Sequence, residues 1–308
     1  MIKLENRKVA VFGCNGYIGR HLVSHYLKMG HEVCGFDIQV ASEQETGSRF
    51  SYFQTDVSSE ESVNSIDFDF DIILLFSGLT GTAVSFANYR QFIEVNEIGL
   101  LNVLERIRLK NSEVRIIFPS TRLIYEGLKN ELLEESSDFG TKTIYAINKI
   151  ACELYLKSFH ERYSLDYCVA RIGVPYGNMV GSTLSYGTLG FFLSKVVKAE
   201  PITLYGSGEV RRTFTFVGDV CEQIYALGNI QALKSRVFNI AGENFSLKNI
   251  ANSIDAIFGF GVNYIPWPED AKLLESGDTI FDDSLIRKEI NYKQTIDFKT
   301  WIDQLEIQ

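Results

Sequence analysis

Lys8-Val9-Ala10-Val11-Phe12 is an apolar run of strand character that ends in Gly13, and glycines recur at Gly16 and Gly19. An amphipathic stretch carrying Ile18, Leu22, Val23 and Leu27 begins inside the glycine series. A strand, a tight turn and a helix N-terminus are therefore predicted in immediate succession. Glycine tolerates the positive φ of such a turn and lets backbone N–H groups approach a ligand. Backbone donors and the positive end of the helix then suit the pyrophosphate of a dinucleotide. The predicted contacts are Gly13, Asn15, Gly16, Tyr17, Ile18 and Gly19. The next apolar run, Val33-Cys34-Gly35-Phe36, closes on Asp37. That carboxylate lies about 20 residues on, where an acceptor for the adenosine ribose is expected. It would repel a 2′-phosphate, and no arginine follows it before Arg49, so NAD is predicted over NADP.

Strand-like and helix-like runs alternate through the first half. Strands are predicted at Lys8–Phe12, Glu32–Phe36, Phe50–Gln54, Asp71–Phe76, Val114–Phe118 and Tyr167–Ile172, with helices at Tyr17–Met29, Ser59–Ser65, Phe92–Leu109 and Tyr145–Tyr163. This alternation predicts an α/β fold, a Rossmann-type doubly wound parallel sheet covered on both faces. After Arg171 the texture changes, with dense glycine and shorter elements: helices at Leu189–Lys198 and Val220–Leu227, and strands at Ile202–Tyr205, Val237–Ala241 and Val262–Ile265. The expected division is a dinucleotide-binding domain over residues 1–172, with returning segments near 213–242, and a smaller, mainly substrate-binding lobe over residues 173–308.

The chain has 308 residues and 45% hydrophobic content, enough for a large core. A net charge of −9 argues against nucleic acid or an anionic membrane surface as partner. Five cysteines without metal-like spacing fit a reduced, cytoplasmic protein, and Cys14 in the glycine turn reads as a small filler. The four histidines form no metal constellation, so no metal is expected. No apolar run reaches spanning length. The charged Met1–Arg7 stretch is expected to lead straight into the first strand, unlike a signal peptide.

Tyr145 and Lys149 stand at i and i+4, on one face of a predicted helix. A phenol with a free pKa of about 10 is a poor acid–base catalyst, and a neighbouring ammonium stabilises its phenolate. Upstream, Ser120-Thr121 ends a predicted strand, and ligands of open parallel sheets sit at the carboxyl ends of strands.

The order of glycine turn, Asp37, strand-end hydroxyl and Tyr-x-x-x-Lys resembles the extended short-chain dehydrogenase/reductase superfamily, most nearly its nucleotide-sugar epimerase/dehydratase branch. The resemblance covers nearly the whole chain. It implies that Asp56 and Val57 face the adenine, that Phe76, Ser77 and Gly78 line the cofactor, and that Leu79 faces substrate. Asn96 to Asn102 fits the branch's N-x-x-G-x-x-N helix, with Asn96 as a cofactor residue. Thr121 to Tyr125 fits its hydroxyl-x-x-x-Tyr pattern, which makes Thr121 the catalytic hydroxyl beside Tyr145 and Lys149. Ile172 falls in its Arg-led strand end as a cofactor contact. Tyr205 and Arg212 fall in the motif whose arginine grips a sugar nucleotide's diphosphate.

Four departures bear on the substrate. Val174 replaces the usual asparagine, with Asn178 near enough in sequence to stand in. Glu275 occupies the place of a second diphosphate arginine, a repulsion that Lys272 or a shifted loop could offset. Arg122-Leu123 replaces the acidic pair of a dehydratase, which sets dehydration aside. The tyrosine helix also lacks the usual preceding proline and following glycine. The resemblance implies an NAD-dependent nucleotide-sugar epimerase and a homodimer. A reductase of 4-keto-6-deoxy sugar nucleotides and a non-catalytic dinucleotide sensor are the alternatives.

Overall fold

The computed structural model describes residues 6–40, 47–110, 113–129, 131–181 and 184–306. The charged lead-in Met1–Glu5 lies outside these residues. In chain order the strands are β1 Lys8–Phe12, β2 Glu32–Asp37, β3 Phe50–Gln54, β4 Ile72–Leu75, β5 Arg115–Thr121, β6 Leu132–Leu133, β7 Asp166–Ile172, β8 Val174–Tyr176, β9 Ile202–Tyr205, β10 Arg211–Phe216, β11 Arg236–Asn239, β12 Glu243–Ser246, β13 Val262–Ile265 and β14 Ile280–Phe281. The helices are α1 Tyr17–Lys28, α2 Glu60–Asn64, α3 Thr82–Ala87, α4 Tyr89–Ile93, α5 Gly99–Lys110, α6 Ile144–Tyr163, α7 Gly187–Val197, α8 Val217–Asn229, α9 Leu247–Phe258, α10 Glu269–Leu274, α11 Ser284–Ile290 and α12 Phe298–Asp303.

Seven strands form the main sheet in the order β11-β7-β5-β4-β1-β2-β3. The pairs β1–β2, β2–β3, β1–β4 and β4–β5 are parallel. The strand order reverses at β1 and β4, the place where open α/β sheets take their ligands. Burial of side chains on both faces explains why the strands read as continuous apolar runs. Ala10, Phe12, Phe36, Ile73, Leu75, Ile116 and Phe118 join one core cluster with α5 and α6. Val9, Val11, Val33, Ile72 and Leu74 are buried on the alternate positions, and α1 packs on β1 and β2.

The helix predicted over Phe92–Leu109 is not uniform. Between α4 and α5 the backbone makes a π-helical turn, Glu94–Ile98. Wide turns of this kind concentrate at functional sites. Here the turn carries Asn96, whose carboxamide bonds both backbone groups of Leu79. Helix α6 starts where Thr143 accepts a hydrogen bond from Ala146 N at 3.0 Å, and it ends on Ser164 at φ 58°. A threonine cap replaces the missing proline as the start signal.

The chain divides into two compact units that interleave in sequence. The first takes the described parts of Met1–Ser120, Thr143–Ala170 and Cys221–Val237; the second takes those of Thr121–Lys142, Arg171–Val220 and Phe238–Gln308. Within the second, β10 runs antiparallel to β12 and parallel to β8, β13 pairs β9, and β14 pairs β6. Its core gathers Tyr176, Leu193, Phe214, Ile250, Ile254, Phe298 and Trp301. Strands β6, β8, β10, β12 and β14 go beyond the strands expected from the sequence, because they are two to six residues long and their partners are distant in the chain.

Candidate cofactor and substrate sites

In the first unit the glycine turn is built so closely that only glycine fits at positions 13 and 19. Gly13 has φ +77°, and a Cβ there would meet Ser77 N at 2.6 Å. A Cβ on Gly19 would lie 2.0 Å from Gly13 O. Gly16 is the N-cap of α1, offers no side chain to the helix N–H groups, and no acidic residue stands in the first turn. A helix start left uncapped and free of carboxylates is suited to an anion. Asp37 ends β2, where Oδ2 accepts from Asn15 N at 3.0 Å and Oδ1 from Gln39 N at 3.1 Å. Two such bonds fix the carboxylate while leaving lone pairs for ribose hydroxyls. Tyr52, which sequence reasoning does not single out, bonds Asn15 Nδ2 through its hydroxyl and donates to Gln39 O, beside Asp37. These features fit a dinucleotide. Burial lifts the Cys14 thiol to about 12, so it is inert filler.

The N-x-x-G-x-x-N helix has a geometric explanation. Asn96 Oδ1 accepts from Leu79 N at 2.7 Å and its Nδ2 donates to Leu79 O at 3.1 Å, so Asn96 positions the loop after β4. A Cβ on Gly78 would sit 2.9 Å from Asn96 Oδ1, and one on Gly99 would sit 2.9 Å from Val57. Asn102 Nδ2 donates to Val57 O at 2.9 Å. Asp56 closes its own turn by accepting from the backbone and hydroxyl of Ser58. The segment from Asn96 to Asn102 thus fixes two loops, Phe76–Leu79 and Asp56–Val57.

Tyr145 and Lys149 lie on the first turns of α6, and both are buried. Lys149 Nζ donates to Pro119 O at 2.8 Å and stands 4.4 Å from the centre of the Phe118 ring and 5.9 Å from that of Tyr145. Burial pulls its pKa down to about 8, against the pull of Cys152 and Glu153. A lysine at that value holds a proton near neutrality and can also release it.

In the second unit, Thr121 is the last residue of β5, and its Oγ1 accepts from Leu123 N at 3.3 Å. Ile172 ends β7, and Val174 is buried in β8. Asn178, near enough in sequence to stand in for the absent asparagine, bonds within its own turn: Nδ2 to Gly181 O at 2.9 Å, and Oδ1 from Val180 N at 3.3 Å. Tyr205 lies 5.2 Å from Trp267, ring centre to ring centre, and Gly206 at φ +59° leaves the room that Trp267 fills. Trp267 has no readable role in the sequence; only the pairing of β9 with β13 brings it there. Arg212 Nη2 donates to Glu275 Oε2 at 2.9 Å, so Arg212, not Lys272, answers the unexpected carboxylate.

Two motif residues prove structural in their contacts. Tyr125 donates to Asn239 Oδ1 at 2.5 Å and accepts from Arg171 Nη1 at 2.8 Å. Asn239 in turn donates to Leu133 O, Asp282 O and, through its backbone N–H, Glu135 Oε1, tying the three chain segments of the second unit together. Among the described residues no group of His, Cys, Asp or Glu could hold a metal ion, and no helix is long and apolar enough to cross a membrane.

The chain is 25% identical to a UDP-glucuronate 4-epimerase of Thermodesulfobacterium geofontis over 268 residues, 81% of this chain and 80% of the relative. It is 25% identical to a CDP-paratose 2-epimerase of Salmonella typhi over 267 residues, 76% of this chain and 79% of the relative. Its fold matches the solved UDP-glucose 4-epimerase of Thermus thermophilus in complex with NAD, with a TM-score of 0.84 and 25% identity over 96% of both chains. A family model matches residues 9–241, from the first strand through the return to the main sheet. That match covers most of the chain and shows what it is: an enzyme of the NAD dependent epimerase/dehydratase family, whose cofactor is NAD.

Proposed function

We propose that the protein is a nucleotide-sugar epimerase working through a transient keto sugar. The observation that carries this reading is the Tyr145–Lys149 pair, buried on one helix face with the ammonium anchored on Pro119 O. The relatives it resembles include epimerases of UDP- and CDP-sugars.

The glycine turn with Asn15, Tyr17 and Ile18 holds the pyrophosphate. Asp37 takes the adenosine ribose, Asp56 and Val57 flank the adenine, and Phe76, Ser77, Gly78 and Ile172 line the rest. When bound, NAD supplies a hydride acceptor that can also give the hydride back. Tyr145 takes the proton of the sugar hydroxyl that becomes a carbonyl and returns it at the end. Lys149 stabilises the phenolate by its charge and bonds the cofactor ribose. Thr121 hydrogen-bonds the reacting oxygen as its charge changes. Leu79, Asn178, Tyr205 and Arg212 contact the substrate, with Arg212 on the diphosphate.

We also infer a homodimer. Tyr89, Ile93 and Ile98 on α4 and the π turn, and Ile147 and Leu154 on α6, are exposed apolar residues on helices that pack together. A second copy of this face would cover them. Light scattering at micromolar protein should report twice 34.9 kDa, and the single-chain mass would remove the inference.

The epimerase reading is tested by incubating the purified protein with UDP-, GDP- and dTDP-sugars without added reductant. An epimer of one of them is expected, with NAD retained. If instead only 4-keto-6-deoxy sugar nucleotides are consumed, and only with NADH or NADPH, the protein is a reductase.

A further inference from the structure

In the second unit three charged side chains meet at one edge of β10. Arg212 projects from that strand, and the run Glu275–Thr279 is laid alongside it. Arg211 N donates to Asp278 Oδ1 at 2.8 Å, Thr279 N to Arg211 O at 2.9 Å, and Thr213 N to Thr279 O at 3.3 Å. Glu275 is fixed at both oxygens, Oε2 by Arg212 Nη2 at 2.9 Å and Oε1 by Gly277 N at 3.1 Å. Arg122, in the turn after Thr121, reaches the same run from another part of the chain. Its Nη1 donates to Thr279 Oγ1 at 2.9 Å and to Ser276 Oγ at 3.3 Å. Burial and the nearby Arg212 pull the Arg122 guanidinium down in pKa, and Glu275 pulls it up, so the three charges feel one another.

The Arg212 and Glu275 side chains are only 11% and 16% exposed. Arg212 Nη1 donates to Thr188 Oγ1 at 3.3 Å, but its buried Nε–H has no acceptor among the described residues. A buried guanidinium donor without a partner is costly, and native structures rarely leave one without a reason. Two guanidiniums against one carboxylate leave a single net positive charge. Paired guanidiniums match phosphate oxygens in shape as well as charge. Glu275 stands where the resemblance implies a cation, and the second cation is supplied instead by Arg122.

We propose that Arg122 and Arg212 together receive the substrate's diphosphate, and that Glu275 is a fixed counter-ion which weakens that grip. This rests on the nucleotide-sugar reading above and adds the specific residues and the sign of each. Phosphate oxygens are received by the Arg212 guanidinium, whose buried Nε–H gains the acceptor it lacks, and by that of Arg122, while Glu275 keeps one arm of Arg212 occupied. The site then binds a diphosphate less tightly than two unopposed arginines would.

The test is calorimetric titration of the NAD-loaded protein with inorganic pyrophosphate, the glycine turn being filled by NAD. Glu275→Gln should tighten binding tenfold or more, and Arg122→Met should weaken it tenfold or more. Unchanged or weaker binding in Glu275→Gln, or unchanged binding in Arg122→Met, overturns the proposal. Should either variant fail to fold, the wild-type protein decides: pyrophosphate must slow modification of Arg122 by phenylglyoxal, read by peptide mass, and absence of protection overturns it. None of these measurements uses turnover. A normal pyrophosphate response with no epimer formed would sink the epimerase reading alone, and the reverse pattern would sink this one alone.

Discussion

The two units solve different problems with different means. The first positions its ligand-facing groups mainly with backbone: a glycine turn closed to any side chain, an uncapped helix start, and a strand-end aspartate bonded by backbone N–H groups. The second relies on side-chain networks that span the chain. Asn239, Tyr125, Arg171 and Glu135 tie its three chain segments together, and Arg212 meets Glu275 from 63 residues away. The proposed cofactor site is thus set by backbone geometry. Side-chain networks can be rewired one residue at a time, and three of the four departures from the pattern that the resemblance implies, at Val174, Glu275 and Arg122-Leu123, lie in this unit.

The largest expected effect tests whether the first unit carries the chemistry. Tyr145→Phe should lower turnover by about 10²–10⁴-fold, the usual weight of general acid–base catalysis, with NAD affinity within a few-fold of wild type. Near-normal turnover would move the acid–base role elsewhere.

Next comes the network of the second unit. Asn239→Ala strands the Tyr125 hydroxyl and the Leu133 and Asp282 carbonyls in a largely buried place, while the backbone N–H of residue 239 keeps its bond to Glu135. Several unsatisfied buried groups should cost about 2–4 kcal/mol in urea unfolding. A loss below about 0.5 kcal/mol would show that the network is not what holds these segments.

A pH profile sharpens the role of Lys149. Burial holds it at about 8, so its charge is present below that pH and is lost above it. If that charge sustains the Tyr145 phenolate, kcat/KM should fall up to about tenfold per unit above the apparent pKa. Lys149→Met should lower activity and abolish that alkaline limb. A limb that survives in the variant belongs to another group.

The smallest effect separates the units by acid response. All four histidines lie in the first unit. Burial, with the Lys28 charge, holds His25 down at about 4, and burial with Arg7 lowers His31. Glu222 stands 3.9 Å from His25 but is half exposed, and its attraction does not outweigh the burial. A histidine lowered in the folded state costs stability as pH falls from about 6.5 towards that folded value. In the second unit, burial raises Asp219, Glu243 and Glu135, whose contribution is present at low pH and is lost as pH rises through their folded values. Hydrogen exchange at pH 7 and pH 5, corrected for intrinsic rates, should therefore show α1 loosening while β10 and β12 do not. Equal loosening in both would erase the distinction.

The sequence by itself determined the succession of the main strands and helices along the chain, the glycine turn with Asp37, and the i, i+4 placement of Tyr145 and Lys149. Each of these follows from local geometry, where a few adjacent residues dictate φ, periodicity or spacing. It did not determine that the helix over Phe92–Leu109 carries a π turn, because one widened turn barely alters the apolar periodicity that the prediction reads. Nor could it show that Trp267 lies beside Tyr205, or that Arg122 and Arg212 converge on the segment beginning at Glu275. Those facts depend on which distant strands pair. A charge that looks repulsive in the sequence becomes a partner once β10 and the run from Glu275 to Thr279 lie side by side.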